Sequence, residues 1–190
     1  MSANPLPQLT AEIYLAMDRA AEWKSEFHDG EIVPLETGSL RLARIVTNGI
    51  LAIGPRLRVN GCEILASPLR VRVSPSQFVY PDLFIVCGKP ELSDEHADTV
   101  TNPKVVIEIL SPATADYDHG AKFELYRCHP TVEEYLLISA TEPKAEVFTK
   151  RSENSWWITY IDSLETPVRL QSLGIEIPLA EFFDGVEGES

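Results

Sequence analysis

The chain has 190 residues, of which 44% are hydrophobic and 24% are charged. This composition predicts one compact domain over residues 1–190, with a core at about residues 10–186 and a radius of gyration of about 16 Å. The apolar stretches are far shorter than the roughly 20 residues that cross a bilayer, and residues 1–8 lack the basic and apolar parts of a signal peptide. Disordered, fibrous and membrane-spanning classes are therefore excluded, and we expect a cytoplasmic protein.

The charge is uneven along the chain. Sixteen basic and 29 acidic residues give a net charge of −13, which repels polyanions at long range. The segment Arg41–Arg72 nevertheless holds six arginines and a single acid, Glu63. These arginines form a local phosphate-binding face or pair with the surplus acids, and the sequence leaves both interpretations open.

The cysteines do not suggest a disulfide framework or a zinc site. Cys62, Cys87 and Cys128 are odd in number and widely separated, and none belongs to a CxxC pair. We therefore predict that all three are buried small apolar residues.

The first part of the chain predicts two helices and a short strand. Thr10 is a typical N-cap residue, and three apolar residues then follow at helical spacing and predict its buried face, namely Ile13, Met17 and Ala20. The pair Asp29-Gly30 indicates a turn before an extended segment at residues 31–35. Residues 42–53 repeat apolar side chains every three or four positions, which predicts an amphipathic helix that Gly54-Pro55 ends.

The middle of the chain predicts strands. Residues 69–73 alternate apolar and charged side chains, so Arg70 and Arg72 share one exposed face of a strand. Residues 79–87 and 104–110 are rich in Val, Ile and Phe and read as central strands. The polar and acidic connection between them, residues 88–103, is long enough to indicate an excursion over the surface.

The last part of the chain predicts one helix followed by strands. Residues 111–114 supply a stop and a cap, residues 116–128 run as a helix, and His129-Pro130 ends it. Four strand-like runs follow, at residues 135–139, 145–149, 156–160 and 175–177. The order of elements predicts an α/β fold with a mixed sheet flanked by helices and with additional hairpins.

Two carboxylates interrupt otherwise apolar strands. Asp82 shares its strand face with Phe84 and Val86, and Glu108 is flanked on its own face by Val106 and Leu110. Burying an ionised carboxylate costs several kcal/mol unless a cation or hydrogen bonds compensate. If the two strands pair, a shared cation explains both, and oxygen ligands suit Mg²⁺ or Mn²⁺.

Lys122 is the natural third member of this site. It lies 14 residues beyond Glu108, on the helix after that strand, where its ammonium could hold an attacking water or stabilise charge on phosphorus. A plainer interpretation remains open, in which Asp118, Lys122 and Tyr126 form a solvated helix face. Equally, Asp82 could be a strand-end residue beside Pro81 and Glu108 a partner of a buried arginine.

The motifs resemble the Uma2 family of endonucleases, within the PD-(D/E)XK nuclease superfamily. The matching segments are Tyr80-Pro81-Asp82, Val106 to Pro112, Asp118 to Lys122 with Tyr126, Glu26 to Glu31, Pro130 to Ser139 and Leu173 to Val186. The resemblance implies a restriction-endonuclease-like core in which Asp82 and Glu108 bind Mg²⁺ and the backbone carbonyl of Ile109 adds a ligand. It also implies that Glu26 approaches the site from the first helix region.

The sequence departs from the superfamily pattern in two places. Leu110 stands where the pattern has a lysine, so Lys122 must serve from the helix, and no histidine occurs in residues 38–44, where many relatives carry one. We assign no chemistry to His28 or His119, for which surface or capping roles are expected. Trp156 and Trp157 are expected to pack as adjacent aromatics, with one ring partly exposed.

Together these observations predict a metal-dependent endonuclease. Asp82, Glu108, Lys122 and Glu26 form the expected catalytic set, with Mg²⁺ or Mn²⁺ as cofactor and DNA as the preferred substrate. The alternatives are a catalytically silent nuclease-fold module that binds DNA or protein, and a structural homodimer with a buried ionic network. The sequence leaves open the choice between DNA and RNA, the sequence specificity, the biological role and whether the chain forms a homodimer.

Overall fold

The computed structural model describes residues 9–35 and 38–186, and the expectation for residues 1–8 lies outside them. Within these ranges the α-helices are α1 Ala11–Ala20, α2 Leu40–Leu57, α3 Ala115–Tyr117, α4 Phe123–Cys128 and α5 Leu179–Phe182. A 3₁₀ turn follows α2 at Arg58–Asn60, and a π-helical segment, Asp118–Lys122, joins α3 to α4. No helix in the described ranges is both long and apolar enough to cross a membrane.

The strands form three sheets in this part of the chain. In chain order the strands are β1 Ser25–His28, β2 Glu31–Pro34, β3 Cys62–Ala66, β4 Arg70–Ser74, β5 Gln77–Val79, β6 Leu83–Cys87, β7 Thr99–Val100, β8 Val105–Leu110, β9 Glu134–Ser139, β10 Ala145–Ser152, β11 Ser155–Ile161, β12 Pro167–Leu170 and β13 Ile175–Pro178. The first sheet has the order β2-β1-β5-β4-β7, the second β11-β10-β9-β8-β6-β3, and the third is the hairpin β12-β13. The α/β fold with a mixed sheet, flanking helices and extra hairpins is confirmed.

The central strands of the six-stranded sheet, β6, β8 and β9, are buried on both faces. Ile107 and Ile109 of β8 belong to a core that includes Ile53 of α2, while Val106 belongs to a second core with Tyr126 of α4. Because successive residues of a strand point to opposite faces, Glu108 shares the face of Val106 and lies under the helical segment 115–128. Each large apolar side chain buried in this way stabilises the fold by about 1.5–3 kcal/mol.

Strand 79–87 is two strands rather than one. β5 belongs to the five-stranded sheet and β6 to the six-stranded sheet, and the chain crosses between them at Tyr80-Pro81-Asp82. Pro81 has no N–H for a ladder, so pairing stops there. Asp82 is therefore a strand-end residue, as the plainer interpretation proposed, and not part of an apolar strand face.

The first two helices form where the sequence predicts them, but their details differ. Thr10 caps α1 by accepting from Ile13 N–H, yet α1 buries Tyr14 and Asp18, and the predicted face with Ile13 and Met17 is exposed. Tertiary contacts decide the buried face, because Tyr14 stacks on Phe27 and Asp18 pairs with buried Arg70.

Helix α2 does not end at Gly54-Pro55 but runs to Leu57. Proline disfavours the helical conformation of the residue before it, partly because the proline ring clashes with that residue's Cβ. Gly54 has no Cβ, so the last turn forms.

Residues 69–73 lie in a strand as predicted, but the prediction that Arg70 is on an exposed face is wrong. Arg70 is 2% exposed and lies 2.8 Å from Asp18. The segment 88–103 is likewise not only a surface excursion, because it contributes β7, which pairs in parallel with β4 and buries Thr99 and Val100.

The prediction for the cysteines is wrong. Cys62 on β3 lies opposite Cys87 on β6, and the two form a disulfide, while Cys128 is exposed. The spacing of 25 residues along the chain gave no sign of this contact, because antiparallel pairing of β3 and β6 creates it. The later strands at residues 135–139, 145–149, 156–160 and 175–177 are confirmed within β9, β10, β11 and β13.

Candidate active site

Pairing of β6 with β8 brings Asp82 next to Glu108. Leu83 lies opposite Ile107 in the antiparallel register, so Asp82 reaches the level of Glu108 and Ile109. The Ile109 N–H donates to Asp82 Oδ2 at 2.8 Å, and the Asp82 N–H donates to Glu108 Oε2 at 3.2 Å. The two carboxylates predicted to converge therefore lie side by side at one end of the sheet.

Lys122 reaches the same place from the helix above β8. Its Nζ lies 2.9 Å from Glu108 Oε1, 3.4 Å from Glu26 Oε1 and 3.6 Å from Asp118 Oδ1. Lys122 and Asp118 are only 5% and 3% exposed, so the alternative interpretation of a solvated helix face is wrong. The π-helical segment Asp118–Lys122 carries both side chains, and such segments occur often at functional sites.

Glu26 also belongs to the site, but it arrives from β1 rather than from the first helix region. Tyr80 N–H donates to its Oε1 at 2.9 Å, and Tyr117 OH donates to its Oε2 at 2.7 Å. His28 Nε2 lies 3.3 Å from Glu26 Oε2 and 2.9 Å from Tyr117 OH. Backbone and side-chain donors thus fix Glu26 against Lys122.

We call Glu26, Asp82, Glu108, Asp118 and Lys122 the cleft cluster. They line a cleft of about 690 Å³, whose walls also include Tyr80, Ile109, Ser111, Tyr117 and Arg41. Arg41 donates to the carbonyls of Ala140 and Val186. All the predicted site residues meet in this cleft, including Ile109.

Four supporting residues were not predicted to have a role in the site. One is His28, for which a surface or capping role was expected, but whose Nε2 contacts Glu26 and Tyr117. Tyr117 holds Glu26, Tyr126 OH donates to Glu108 Oε1 at 3.2 Å, and Asp118 contacts Lys122. The four-residue spacing of Asp118, Lys122 and Tyr126 was the available signal. It could not show that this face turns inward, because burial depends on the sheet below it.

Burial and mutual repulsion raise the pKa of three carboxyl groups in the cleft cluster. Burial raises the pKa of Asp82, although the Ile109 N–H and Lys122 act to lower it. Burial likewise raises the pKa of Asp118, although Lys122 acts to lower it. Burial raises the pKa of Glu108 well above its usual range, because repulsion by Asp82 and Asp118 adds to it despite Lys122. A site that resists the ionisation of its carboxyl groups in this way favours an additional cation.

Glu26 and Lys122 form the charged pair of the cleft cluster. Burial alone would raise the pKa of Glu26, but Lys122, His28 and the Tyr80 N–H lower it to about 2. Burial alone would lower the pKa of Lys122, but Glu108, Glu26 and Asp118 outweigh it and hold that pKa well above its usual range. Lys122 is therefore an ammonium in direct contact with three carboxyl groups, those of Glu108, Glu26 and Asp118.

The donor set suits a hard divalent cation with an incomplete protein shell. Residues 9–35 and 38–186 contain no group of three or more His, Cys, Asp or Glu side chains arranged to hold a metal ion. Mg²⁺, however, is usually bound through one or two carboxylates together with waters and substrate phosphates. Asp82 and Glu108, side by side with too little positive charge around them, fit that mode.

The remaining predicted features lie away from the cleft cluster. The His119 side chain is 38% exposed and contacts the Ala115 carbonyl and Glu146, so its expected surface position is confirmed. Trp156 packs against Phe123, while Trp157 is 63% exposed, which confirms the expectation for this pair. Of the arginines in segment 41–72, Arg56 pairs with Glu181 and Arg70 with Asp18, so pairing with acids is confirmed for these two.

Comparison with known proteins identifies the family of this chain. The model of the family described as "Uma2: Putative restriction endonuclease" matches residues 11–180. The chain belongs to this family. Its Uma2 match spans the elements from α1 to the start of α5 and so includes every residue of the cleft cluster.

Two relatives from Synechocystis sp. and one solved structure extend the comparison. The chain is 33% identical to uncharacterized protein sll1609 over 152 residues, which are 80% of this chain and 86% of that protein. It is 28% identical to uncharacterized protein slr1290 over 183 residues, 96% of this chain and 95% of that one. The crystal structure of a putative nuclease belonging to DUF820 from Anabaena variabilis superimposes with a TM-score of 0.76 at 16% identity, covering 94% of this chain and 99% of that one.

Proposed function

We propose that this chain is a divalent-cation-dependent endonuclease that hydrolyses phosphodiester bonds of DNA. The observation that carries the proposal is the convergence of Asp82 and Glu108 across β6 and β8, with Lys122 Nζ 2.9 Å from Glu108. Membership of the Uma2 family and the likeness to a nuclease fold support it.

The cation would be held by Asp82 and Glu108, with the Ile109 carbonyl as a further oxygen donor. Mg²⁺ or Mn²⁺ at this position would supply an activated water and neutralise charge on the phosphate. It would also relieve the repulsion among the carboxylates, which otherwise oppose the approach of a polyanion to a chain of net charge −13.

Lys122 would bind the scissile phosphate or orient the attacking water. An ammonium has three N–H donors, and here they face three carboxylates, those of Glu108, Glu26 and Asp118. A substrate oxygen must therefore replace one of these partners. Asp118 is the most distant at 3.6 Å, so we expect that contact to give way while Glu26 keeps Lys122 charged and in place.

Cleavage of supercoiled plasmid in the presence of Mg²⁺ or Mn²⁺ tests the proposal. Wild type should give nicked and linear DNA. Asp82→Asn and Glu108→Gln should each reduce the rate by about a hundredfold or more, comparable to the loss of one preorganised charge-stabilising group.

The matched control is Glu176→Gln. It also converts an acid into an amide, but at an exposed position of β13, where Glu176 pairs with Arg169, and it should cut at the wild-type rate. Thermal melting would check that each variant is folded. Cleavage that is unaffected by Asp82→Asn would contradict the assignment.

A catalytically silent module is the second candidate, and one observation favours it. Among the described residues, every buried side-chain nitrogen or oxygen already has a hydrogen-bond partner, so the cleft cluster is satisfied without a ligand. This candidate expects binding of Mn²⁺ or DNA without turnover. A purely structural ionic network expects no divalent-cation binding at all.

A further inference from the structure

Strand β11 is an open edge of the six-stranded sheet. It pairs with β10 along its whole length, and in the described residues it has no strand on its other side. An open edge presents a row of backbone N–H and C=O groups that can pair with another chain. The question is whether this edge is protected.

The protective devices found at other edges are missing from β11. Edge strands are commonly blunted by charged residues, proline or covering elements. Strand β2, at the edge of the other sheet, contains Glu31 and Pro34, and β3, at the opposite edge of the same sheet, contains Glu63. Strand β11 reads Ser-Trp-Trp-Ile-Thr-Tyr-Ile, without a charge, proline or glycine.

Large apolar side chains are exposed on both faces of this edge. Trp157 is 63% exposed, Ile158 44% and Tyr160 71%. Because successive residues alternate between faces, Trp157 lies on one face and Ile158 with Tyr160 on the other. A partner that extends the sheet would cover both faces at once, whereas a partner docking on one face would leave the other uncovered.

The charges beside β11 favour a second copy of this chain in antiparallel pairing. Lys150 lies opposite Trp156, and the Arg151 guanidinium is 4.3 Å from the Trp157 ring, so the beginning of β11 is flanked by cations, with Glu153 in the turn beyond. Glu146 lies opposite Tyr160, and Asp162 follows the strand. Antiparallel pairing of two copies would bring each cationic end next to an acidic end.

We propose that β11 pairs with β11 of a second copy about a twofold axis at Ile158. Ile158 would then face the partner's Ile158. Trp156 of each copy would face Tyr160 of the other, which gives two equivalent pairs. Aromatic cross-strand pairs of this kind stabilise antiparallel sheets, and a twofold arrangement closes the assembly at two copies.

Light scattering of the full chain tests the proposal directly. Wild type should show a mass of twice the 21.2 kDa monomer. Ile158→Lys places like charges opposite each other at the axis and should weaken dimerisation by about a hundredfold or more. Ile158 is partly exposed in the monomer, and thermal melting would check that the variant is folded.

The control is Leu51→Lys, which makes a similar change at a 67% exposed leucine on α2 and should leave the dimer intact. A wild-type chain that is monomeric at every concentration would overturn the proposal. So would a dimer that survives Ile158→Lys, or one that Leu51→Lys disrupts equally.

Cross-linking tests the register independently. In a Cys128→Ser background, which removes the free exposed thiol, Ile158→Cys should form a disulfide-linked dimer on oxidation. Tyr160→Cys should not, because the two thiols would be four residues, or about 14 Å, apart along the paired strands. The opposite pattern would rule out pairing about Ile158.

Discussion

Two ionic clusters in this protein, one buried and one partly exposed, differ in how well their charges are balanced. We call Asp18, Arg19, Arg70, Asp94 and Asp98 the arginine cluster. In it, Arg70 pairs with Asp18 at 2.8 Å and with Asp98, while Arg19 pairs with Asp94 at 2.6 Å and Asp98 at 2.7 Å. Three carboxylates thus face two guanidinium groups, whereas the cleft cluster has four carboxyl groups and one ammonium.

The resolved pKa shifts of the carboxyl groups differ in sign between the two clusters, except that Glu26 in the cleft cluster has a lowered pKa. Hydrogen bonds from Arg19 lower the pKa of Asp94 and, together with Arg70, lower that of Asp98. Burial raises the pKa of Asp82 and Glu108 in the cleft cluster. The first arrangement stabilises the charged form and joins α1, β4 and the segment before β7. The second leaves negative charge uncompensated, which is a property of a cation-binding site rather than of a structural ion pair.

The largest effect is expected from breaking the arginine cluster. Arg70→Met should lower the free energy of unfolding by about 3–5 kcal/mol, because it leaves Asp18 buried without its cation. Urea unfolding at neutral pH measures this change. Arg169→Met removes an arginine from an exposed pair with Glu176 and should change stability by less than about 0.5 kcal/mol. Equal effects of the two variants would show that Arg70 is not structural.

Matched amide substitutions should have opposite effects in the two clusters. Asp98→Asn weakens charge-assisted hydrogen bonds to Arg19 and Arg70 and should cost about 2 kcal/mol at neutral pH. Asp82→Asn keeps an oxygen for the Ile109 N–H and removes a repelled charge, so it should leave stability unchanged or raise it by about 1 kcal/mol. Chemical unfolding of both variants compares them. A destabilised Asp82→Asn would mean that the cleft cluster is also held together by its charges.

A smaller effect is expected in the pH dependence without divalent cations. Because the pKa of Asp82 is raised in the folded state, the unfolded state loses this proton before the folded state does as pH rises above about 4. The free energy of unfolding therefore decreases as pH rises towards the folded-state pKa. Asp94 and Asp98 behave in the opposite way, and their stabilisation is lost as pH falls through their lowered pKa values. Between weakly acidic and neutral pH, stability should therefore decline less in Asp82→Asn than in wild type. An identical decline would contradict the raised pKa.

Local signals in the sequence predicted most elements and the main members of the cleft. The capping residue Thr10 and the apolar strand at residues 104–110 led to elements that the structure contains. Asp82, Glu108 and Lys122 were found because charged residues stood in apolar or motif contexts. Such signals are local in the chain, and they remain valid where tertiary contacts agree with them.

The features that the sequence missed depend on contacts between distant segments. Arg70 looked exposed because its alternation with apolar residues is typical of a one-sided strand, but Asp18 and Asp98 lie 52 and 28 positions away and pair with it. Cys62 and Cys87 meet only because β3 pairs with β6. The inward face of Asp118 and Lys122 depends on the sheet beneath the π-helical segment. None of these contacts leaves a periodic pattern in the chain.

Calorimetric titration with Mn²⁺ at neutral pH tests most directly whether Asp82 and Glu108 form a cation site. We expect saturable binding to wild type and to Glu176→Gln, and loss of that binding in Asp82→Asn and Glu108→Gln. Absence of Mn²⁺ binding to the folded wild type, or binding that both cleft variants retain, would contradict the account.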